Sequence, residues 1–221
     1  MRKIFAILFL QILIFTGCSF KNDKIIVTNQ CKIGNFYELD PRFSHKNQSV
    51  KLTNNQILNF LLKSIDKYEN TRKGGDCTGF ITVLNNENNG IFFDDKELNN
   101  HFSNRRKSQA LYNYYKAKNR ISMNNPKIGD LVFWQNTTRG IKNKKTGAIT
   151  HVGVIREIYS DGRIRFVHFA SGRNRSDFMD LKNPKVHKIG KKTVNSYVAR
   201  CKRKNFCLAS NLFAGFGKVT E

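Results

Sequence analysis

Segment 74–80, GGDCTGF, contains the residue type best suited to nucleophilic chemistry, Cys77. Two glycines and Asp76 precede this cysteine and an apolar run follows it, which predicts a turn that leads into a helix. The N-terminus of a helix offers free N–H groups and a partial positive charge, and both favour a thiolate over a thiol. We therefore expect the pKa of Cys77 to lie below the usual ~8.5. A lone cysteine at the start of an apolar segment is more often a small buried apolar residue than a nucleophile, so the interpretation depends on partners elsewhere in the chain.

Two later runs, THVGVI (150–155) and RFVHFASG (165–172), each carry one histidine. Both runs are rich in β-branched and aromatic residues, which predicts strands, and the turn signal at 159–162 between them predicts a hairpin. Paired strands would bring His151 and His168 together. One imidazole could then act as base towards the thiol while the other residue orients it. Cys77, His151 and His168 are therefore a candidate triad, although either histidine alone could be structural.

These segments, together with PKIGDLVFWQ (126–135), resemble the NlpC/p60-type cell-wall cysteine peptidases over residues 50–205. The resemblance implies a papain-like α+β fold, in which N-terminal helices pack on an antiparallel sheet and the nucleophile begins a helix. It also implies that Cys77 is the nucleophile, that His151 is the general base and later acid, and that His168 orients His151.

Four further residues are candidates for the oxyanion and substrate sites. By resemblance, Tyr68 lies near the oxyanion, Asp76 holds a free amine of the substrate, and Thr78 stands where a serine is usual. An N-cap role for Asp76 is equally compatible with its position. Arg173, close to His168 in the sequence, is a candidate carboxylate clamp.

The function implied is an exported cysteine peptidase that hydrolyses the bond between D-glutamate and the diamino acid of peptidoglycan stem peptides. Three alternatives remain open. They are a CHAP-type amidase that cuts between muramic acid and L-alanine, an acyltransferase that uses the same thiol, and a non-catalytic wall-binding lipoprotein.

The N-terminus, residues 1–17, has a basic start and an apolar stretch shorter than the ~20 residues of a membrane span, which predicts a secretory signal. The sequence FTGC (15–18) resembles a lipoprotein box, which implies that Cys18 carries lipid; a plain signal peptide is the alternative. The expected location is the periplasmic face of a bacterial membrane, with the outer membrane as an option. The expected domains are the signal (1–17), a polar tether (18–49) and a peptidase domain with a C-terminal extension (50–221).

The chain has five cysteines, and three of them have no assigned chemistry: Cys31, Cys201 and Cys207. In an oxidising compartment two of these three could form a disulfide, either Cys201 with Cys207 or Cys31 with one of them. No spacing typical of a metal site occurs, and His45, His101 and His187 stand apart. We therefore expect no metal and no cofactor.

The formal net charge of +23 predicts an anionic partner. Nucleic acid is the usual inference, but the export signal argues against it. Stem-peptide carboxylates, anionic envelope polymers and lipid head groups are the partners expected instead. A compositional bias that leaves a solvated basic surface is the alternative.

The elements that must position these residues follow from periodicity. The sequence predicts a helix after the capping box at Thr53–Gln56, a second from Cys77, and a third over 105–118. It predicts strands at 128–134, at the two histidine runs and at 196–200. Trp134 is expected either in the wall of the cleft or in the core, and 135–150 is expected to form a loop beside the site.

Overall fold

The computed structural model of the protein describes residues 53–103, 106–138, 147–199 and 204–219. The expectations for the signal, the tether, Cys18, Cys31, His45 and Cys201 lie outside these residues, as does the 139–146 part of the loop expected before His151. Helices α1 to α4 span Asn54–Tyr68, Cys77–Glu87, Asp95–Asn99 and Lys107–Ala117, and α5 spans Ala209–Leu212 after a 3₁₀ turn at Lys204–Cys207. Strands β1 to β8 span Ile121–Ser122, Leu131–Gln135, Ile149–Ile158, Ile164–Ala170, Arg173–Met179, Lys188–Ile189, Lys192–Thr193 and Phe213–Gly217.

Helix α1 begins as the sequence predicts. The Thr53 side chain accepts a hydrogen bond from the Gln56 backbone N–H, and the Gln56 side chain accepts one from the Thr53 N–H. This reciprocal pair satisfies two N–H groups that a helix start otherwise leaves open. Leu61 and Ile65, one turn apart on the same face, are fully buried.

Six strands form one antiparallel sheet in the order β1-β8-β2-β3-β4-β5. The predicted hairpin of the two histidine strands is confirmed, with Val154 of β3 opposite Val167 of β4. The predicted strand at 196–200 is wrong over its described part, where Tyr197 forms only an isolated bridge to Leu208. The strand that closes the sheet is β8, which inserts between β1 and β2.

The sheet separates two hydrophobic clusters. Helices α1, α2 and α4 cover one face, where Val152 and Val154 of β3 are buried among them. Trp134 and Phe166 lie in the second cluster, together with Leu212 from the C-terminal segment. Because successive side chains of a strand point to opposite faces, β2, β3 and β4 contribute to both clusters. This arrangement confirms the predicted α+β class.

Within the described residues no helix has both the length and the apolar character needed to cross a membrane.

Candidate active site

The turn before α2 places Cys77 at the first position of that helix. Gly74 and Gly75 both adopt positive φ, at 95° and 77°, a region that favours glycine. A Cβ atom on Gly79 would lie only 1.9 Å from the Gly74 carbonyl oxygen, so glycine is needed for the turn to fold back on the helix. The Asp76 side chain caps the helix, because its Oδ1 accepts from the Gly79 N–H at 2.6 Å.

The sulphur of Cys77 faces the backbone N–H groups of Val152, Thr78 and Cys77 itself, which favour its ionised form. Burial outweighs them and raises the pKa of the Cys77 thiol to about 11, with the nearby Asp76 carboxylate acting in the same direction. The predicted lowering of this pKa is therefore wrong for the free protein. The helix N-terminus is present as expected, but it does not offset the loss of solvent around the sulphur.

His151 and His168 lie in contact, with His151 Nε2 and His168 Nδ1 only 2.6 Å apart. Their rings meet edge to face, with centroids 4.9 Å apart. His168 is fully buried and His151 is 9% exposed. Burial, with His168 beside it, holds the pKa of His151 well below its usual range, so His151 is neutral at physiological pH. A neutral imidazole is the form that can accept a proton.

Trp134 supports this pair from within the sheet. It is fully buried, and its ring centroid lies 5.5 Å from that of His151 and 6.0 Å from that of His168. Its Nε1–H donates to the Ala209 carbonyl at 2.9 Å, so the ring is held in place. Of the two roles expected for Trp134, the structure favours the core.

The structure brings the thiol to the strand that carries His151. The sulphur accepts the N–H of Val152, the residue after His151, and Cys77 packs against the cluster to which Val152 belongs. In the described part of the chain the thiol hydrogen-bonds to backbone groups rather than to the imidazole. Catalytic hydrogen bonds are often long without substrate and tighten in the complex, so this arrangement is compatible with a thiol–imidazole pair.

Asp177, which the sequence analysis did not identify, contacts His168 on the side away from His151. Its Oδ2 lies 2.9 Å from His168 Nε2. Asp177 lies on β5, where Arg175 pairs with His168 and Asp177 pairs with Phe166. The alternation Arg173, Arg175, Asp177 on a strand would have indicated that these residues share a face with His168. That signal was missed because residues 173–179 were not recognised as a strand.

Tyr68 does not lie at the oxyanion position. Its hydroxyl donates to Glu87 Oε1, and Lys67 also contacts this carboxylate at 3.0 Å. Glu87 ends α2 and Cys77 begins it, ten residues away, so about 15 Å of helix separates them. The expectation for Tyr68 is wrong, because this last residue of α1 turns its side chain towards the opposite end of α2.

The structure also places the three remaining candidates for substrate contact, which are Thr78, Asp76 and Arg173. Thr78 donates its hydroxyl to Asp76 Oδ1 at 2.9 Å, which reinforces the helix cap. Asp76 is exposed, so capping does not prevent it from contacting a substrate. Arg173 is exposed at the start of β5, opposite Ala170.

Asn174, fully buried, ties β5 to the segment before the nucleophile. Its backbone exchanges hydrogen bonds with that segment, to Asn70 at 2.8 Å and Thr71 at 2.7 Å. Its side-chain Nδ2 donates to the carbonyls of Tyr68 and Lys73 at 3.1 and 3.0 Å. One strand therefore holds both the turn before Cys77 and the carboxylate behind His168.

Cys77 is a free thiol and Cys207 is disulfide-bonded, and the partner of Cys207 lies outside the described residues. The choice between Cys201 and Cys31 stays open. His187 hydrogen-bonds through Nδ1 to the Asn195 carbonyl, and His101 packs on Tyr114. Among the residues that the structure describes, no group of three His, Cys, Asp or Glu side chains could hold a metal ion.

Residues 67–169 match the protein-family model of the CHAP domain, the cysteine- and histidine-dependent amidohydrolases and peptidases. This part of the chain is a cysteine peptidase or amidase domain that acts on peptidoglycan. Helices packed on an antiparallel sheet are consistent with the papain-like fold of that domain. The match includes Cys77, His151 and His168 and ends before Asp177. No curated protein and no solved structure matches the chain.

Proposed function

We propose that the protein is an envelope enzyme that hydrolyses amide bonds of peptidoglycan stem peptides, with Cys77 as nucleophile, His151 as general base and His168 as its orienting residue. The observation that carries this proposal is the buried contact of 2.6 Å between the imidazoles of His151 and His168. His151 lies on β3, and the N–H of the next residue on that strand, Val152, faces the Cys77 sulphur. Because the nitrogen of His151 that faces His168 is Nε2, the nitrogen left for the thiol is Nδ1.

The reaction begins with neutral partners. His151 Nδ1 takes the thiol proton as the sulphur attacks the amide carbonyl, and the carbonyl electrons move onto oxygen. His151 then gives this proton to the departing amine nitrogen, the C–N bond breaks, and an acyl group remains on Cys77. Water attacks this thioester after losing a proton to His151, and the released sulphur recovers that proton.

Backbone N–H groups at the start of α2 supply the donors for the oxyanion, together with the Val152 N–H that already faces the sulphur. Loss of one oxyanion donor typically costs about 3 to 4 kcal/mol of barrier. The high pKa of the free thiol means that attack depends on proton transfer at the moment of reaction rather than on a standing thiolate.

Two bonds are candidates. The resemblance of the motifs to NlpC/p60-type enzymes supports cleavage between D-glutamate and the diamino acid, with Asp76 holding the substrate's free amine. The guanidinium of Arg173 supports a separate role as a clamp for a substrate carboxylate. The CHAP match supports the second candidate, an amidase that cuts between muramic acid and L-alanine.

Product analysis separates the two. Purified peptidoglycan and free stem peptides, whose L-alanine amine is unblocked, are each digested with wild type and with Cys77→Ala, and the soluble products are identified by mass spectrometry. An endopeptidase releases truncated peptides and leaves a dipeptide on the glycan, whereas an amidase frees glycan strands from complete peptides. An acyl adduct in place of a hydrolysed product would indicate a transferase. Equal release by both proteins would contradict the role of Cys77, and no release at all would favour a binding protein.

Envelope attachment through lipid on Cys18 belongs to the same proposal and is supported by the N-terminal sequence. Growth of an expressing strain with an alkyne fatty acid should label wild type but not Cys18→Ala. Labelling of neither would favour a plain signal peptide. The basic surface then faces anionic envelope polymers and lipid head groups.

A further inference from the structure

Three side chains form one buried hydrogen-bonded chain behind the nucleophile. His151 Nε2 lies 2.6 Å from His168 Nδ1, and His168 Nε2 lies 2.9 Å from Asp177 Oδ2. His168 is fully buried, so both of its ring nitrogens are committed to protein partners. Asp177, which is 8% exposed, is the last side chain of this hydrogen-bonded series.

The direction of each hydrogen bond follows from the carboxylate. Burial alone would raise the pKa of Asp177, but the hydrogen bond from His168 and the charge of Arg175 outweigh it, so the pKa is lowered. An ionised carboxylate can only accept hydrogen bonds. His168 Nε2 must therefore carry the proton that faces Asp177.

We propose that Asp177 is a positioning residue that acts through His168 to fix the tautomer of His151. When both rings are neutral, each carries one proton: His168 donates Nε2–H to Asp177, and its unprotonated Nδ1 accepts from His151 Nε2–H. His151 Nδ1 is then the unprotonated nitrogen. This inference rests on the proposed function, because it assigns to that nitrogen the proton of Cys77.

The groups around Asp177 determine what a substitution would do. Arg175 donates through Nη2 to Asp177 Oδ1 at 3.2 Å, its Nε lies 3.2 Å from Oδ2, and the Ser196 hydroxyl also hydrogen-bonds to the carboxylate. In Asp177→Asn, the amide oxygen is expected to stay at the Oδ1 position, where Arg175 Nη2 donates, because Arg175 Nε makes no hydrogen bond at the Oδ2 position. The amide NH₂ then faces His168 Nε2 and donates to it.

The reversed hydrogen bond between residue 177 and His168 would also reverse the hydrogen bond between His168 and His151. His168 would move its proton to Nδ1 and donate to His151 Nε2, and His151 would carry its own proton on Nδ1, where the thiol needs a lone pair. Replacement of a triad aspartate by asparagine in a serine protease costs about 10⁴-fold in kcat through a wrong tautomer. Because one more ring intervenes here, we expect kcat to fall roughly 10²- to 10⁴-fold with little change in KM.

The test is ¹⁵N NMR of the histidine rings at neutral pH in wild type, Asp177→Asn and the matched control Asp180→Asn. Asp180 is also a buried carboxylate, but it binds the Lys182 N–H and the Asn183 side chain instead of a histidine. A His151→Gln spectrum assigns the His151 signals. We expect an unprotonated His151 Nδ1 in wild type and the control, and a protonated one in Asp177→Asn.

Two results would overturn the proposal. One is a protonated His151 Nδ1 in wild type, which can be read even if Asp177→Asn does not fold. The other is a folded Asp177→Asn protein with the wild-type tautomer and with kcat within about threefold of wild type. The spectra need no substrate, so the failure of the proposed function is distinguishable: wild type would show the expected tautomers and no hydrolysis of peptidoglycan.

Discussion

Because the pKa of Cys77 is raised, we expect the rate at which this thiol is alkylated to be low at neutral pH and to increase with pH. Because burial raises this pKa to about 11, from the ~8.5 to 9.0 of an ordinary cysteine, the thiolate fraction at pH 7 is roughly 100- to 300-fold smaller than in an ordinary cysteine. The more basic thiolate is intrinsically more nucleophilic, by about tenfold for a Brønsted slope of 0.4–0.5. We therefore expect Cys77 to react with iodoacetamide roughly tenfold more slowly than an exposed cysteine at pH 7.

The assay follows the mass of the Cys77 peptide after timed alkylation between pH 6 and pH 10, with circular dichroism to confirm folding at each pH. The rate should still rise about tenfold per pH unit above pH 9, where the control, a short peptide that contains GGDCTGF, begins to level off. Asp76→Asn keeps the helix cap but removes a charge that raises the Cys77 pKa, so its curve should shift to lower pH. A curve that levels off at or below pH 7 would show a standing thiolate and refute the reasoning.

Three further measurements test the position of Tyr68, the turn before α2 and the electrostatics of His151. Tyr68→Phe should leave kcat within about twofold of wild type because the hydroxyl binds Glu87; an oxyanion donor would cost about 10²- to 10³-fold. Gly79→Ala should lower the free energy of unfolding in urea by about 3 kcal/mol through a clash with backbone, against about 1 kcal/mol for Gly75→Ala, whose Cβ meets no atom within 4 Å. The free energy of unfolding should fall as the pH drops below 6.5, by up to about 1.4 kcal/mol per pH unit, because His151 gains a proton at a higher pH in the unfolded chain than in the folded protein. His151→Gln should reduce this slope, and an unchanged slope would contradict the role assigned to His151.

Local patterns predicted the elements that carry the chemistry. The capping box at Thr53, the helix that begins at Cys77 and the hairpin of the two histidine strands each follow from short-range signals in the sequence. Such signals are reliable because the structure they specify closes within a few residues.

The closing strand was missed for a different reason. Strand β8, FAGFG, contains two glycines, which are uncommon in strands, and it pairs with β1 and β2 far away in the sequence. The alternating run after Val194 resembled a strand more closely, yet it forms only one bridge, at Tyr197. Strand pairing between segments so far apart in the sequence cannot be predicted from the local residue pattern of either segment.

The site could be predicted in its residue types but not in its electrostatics. The position of Cys77 at a helix start was evident, but how much of its sulphur would be buried was not, and burial decides the pKa. Likewise, Tyr68 was the nearest tyrosine, but its direction depends on the packing of α1 against α2. Asp177 became identifiable only once β5 was placed beside β4.

The most direct test of the central claim, that Cys77 is the nucleophile, is the rate at which purified peptidoglycan and free stem peptides gain new amino termini with wild type, Cys77→Ala and Cys77→Ser. Matched circular dichroism spectra and melting temperatures establish that all three are folded. The account predicts release by wild type and a loss of at least about 1,000-fold in both variants. Release by folded Cys77→Ala at the wild-type rate would contradict it.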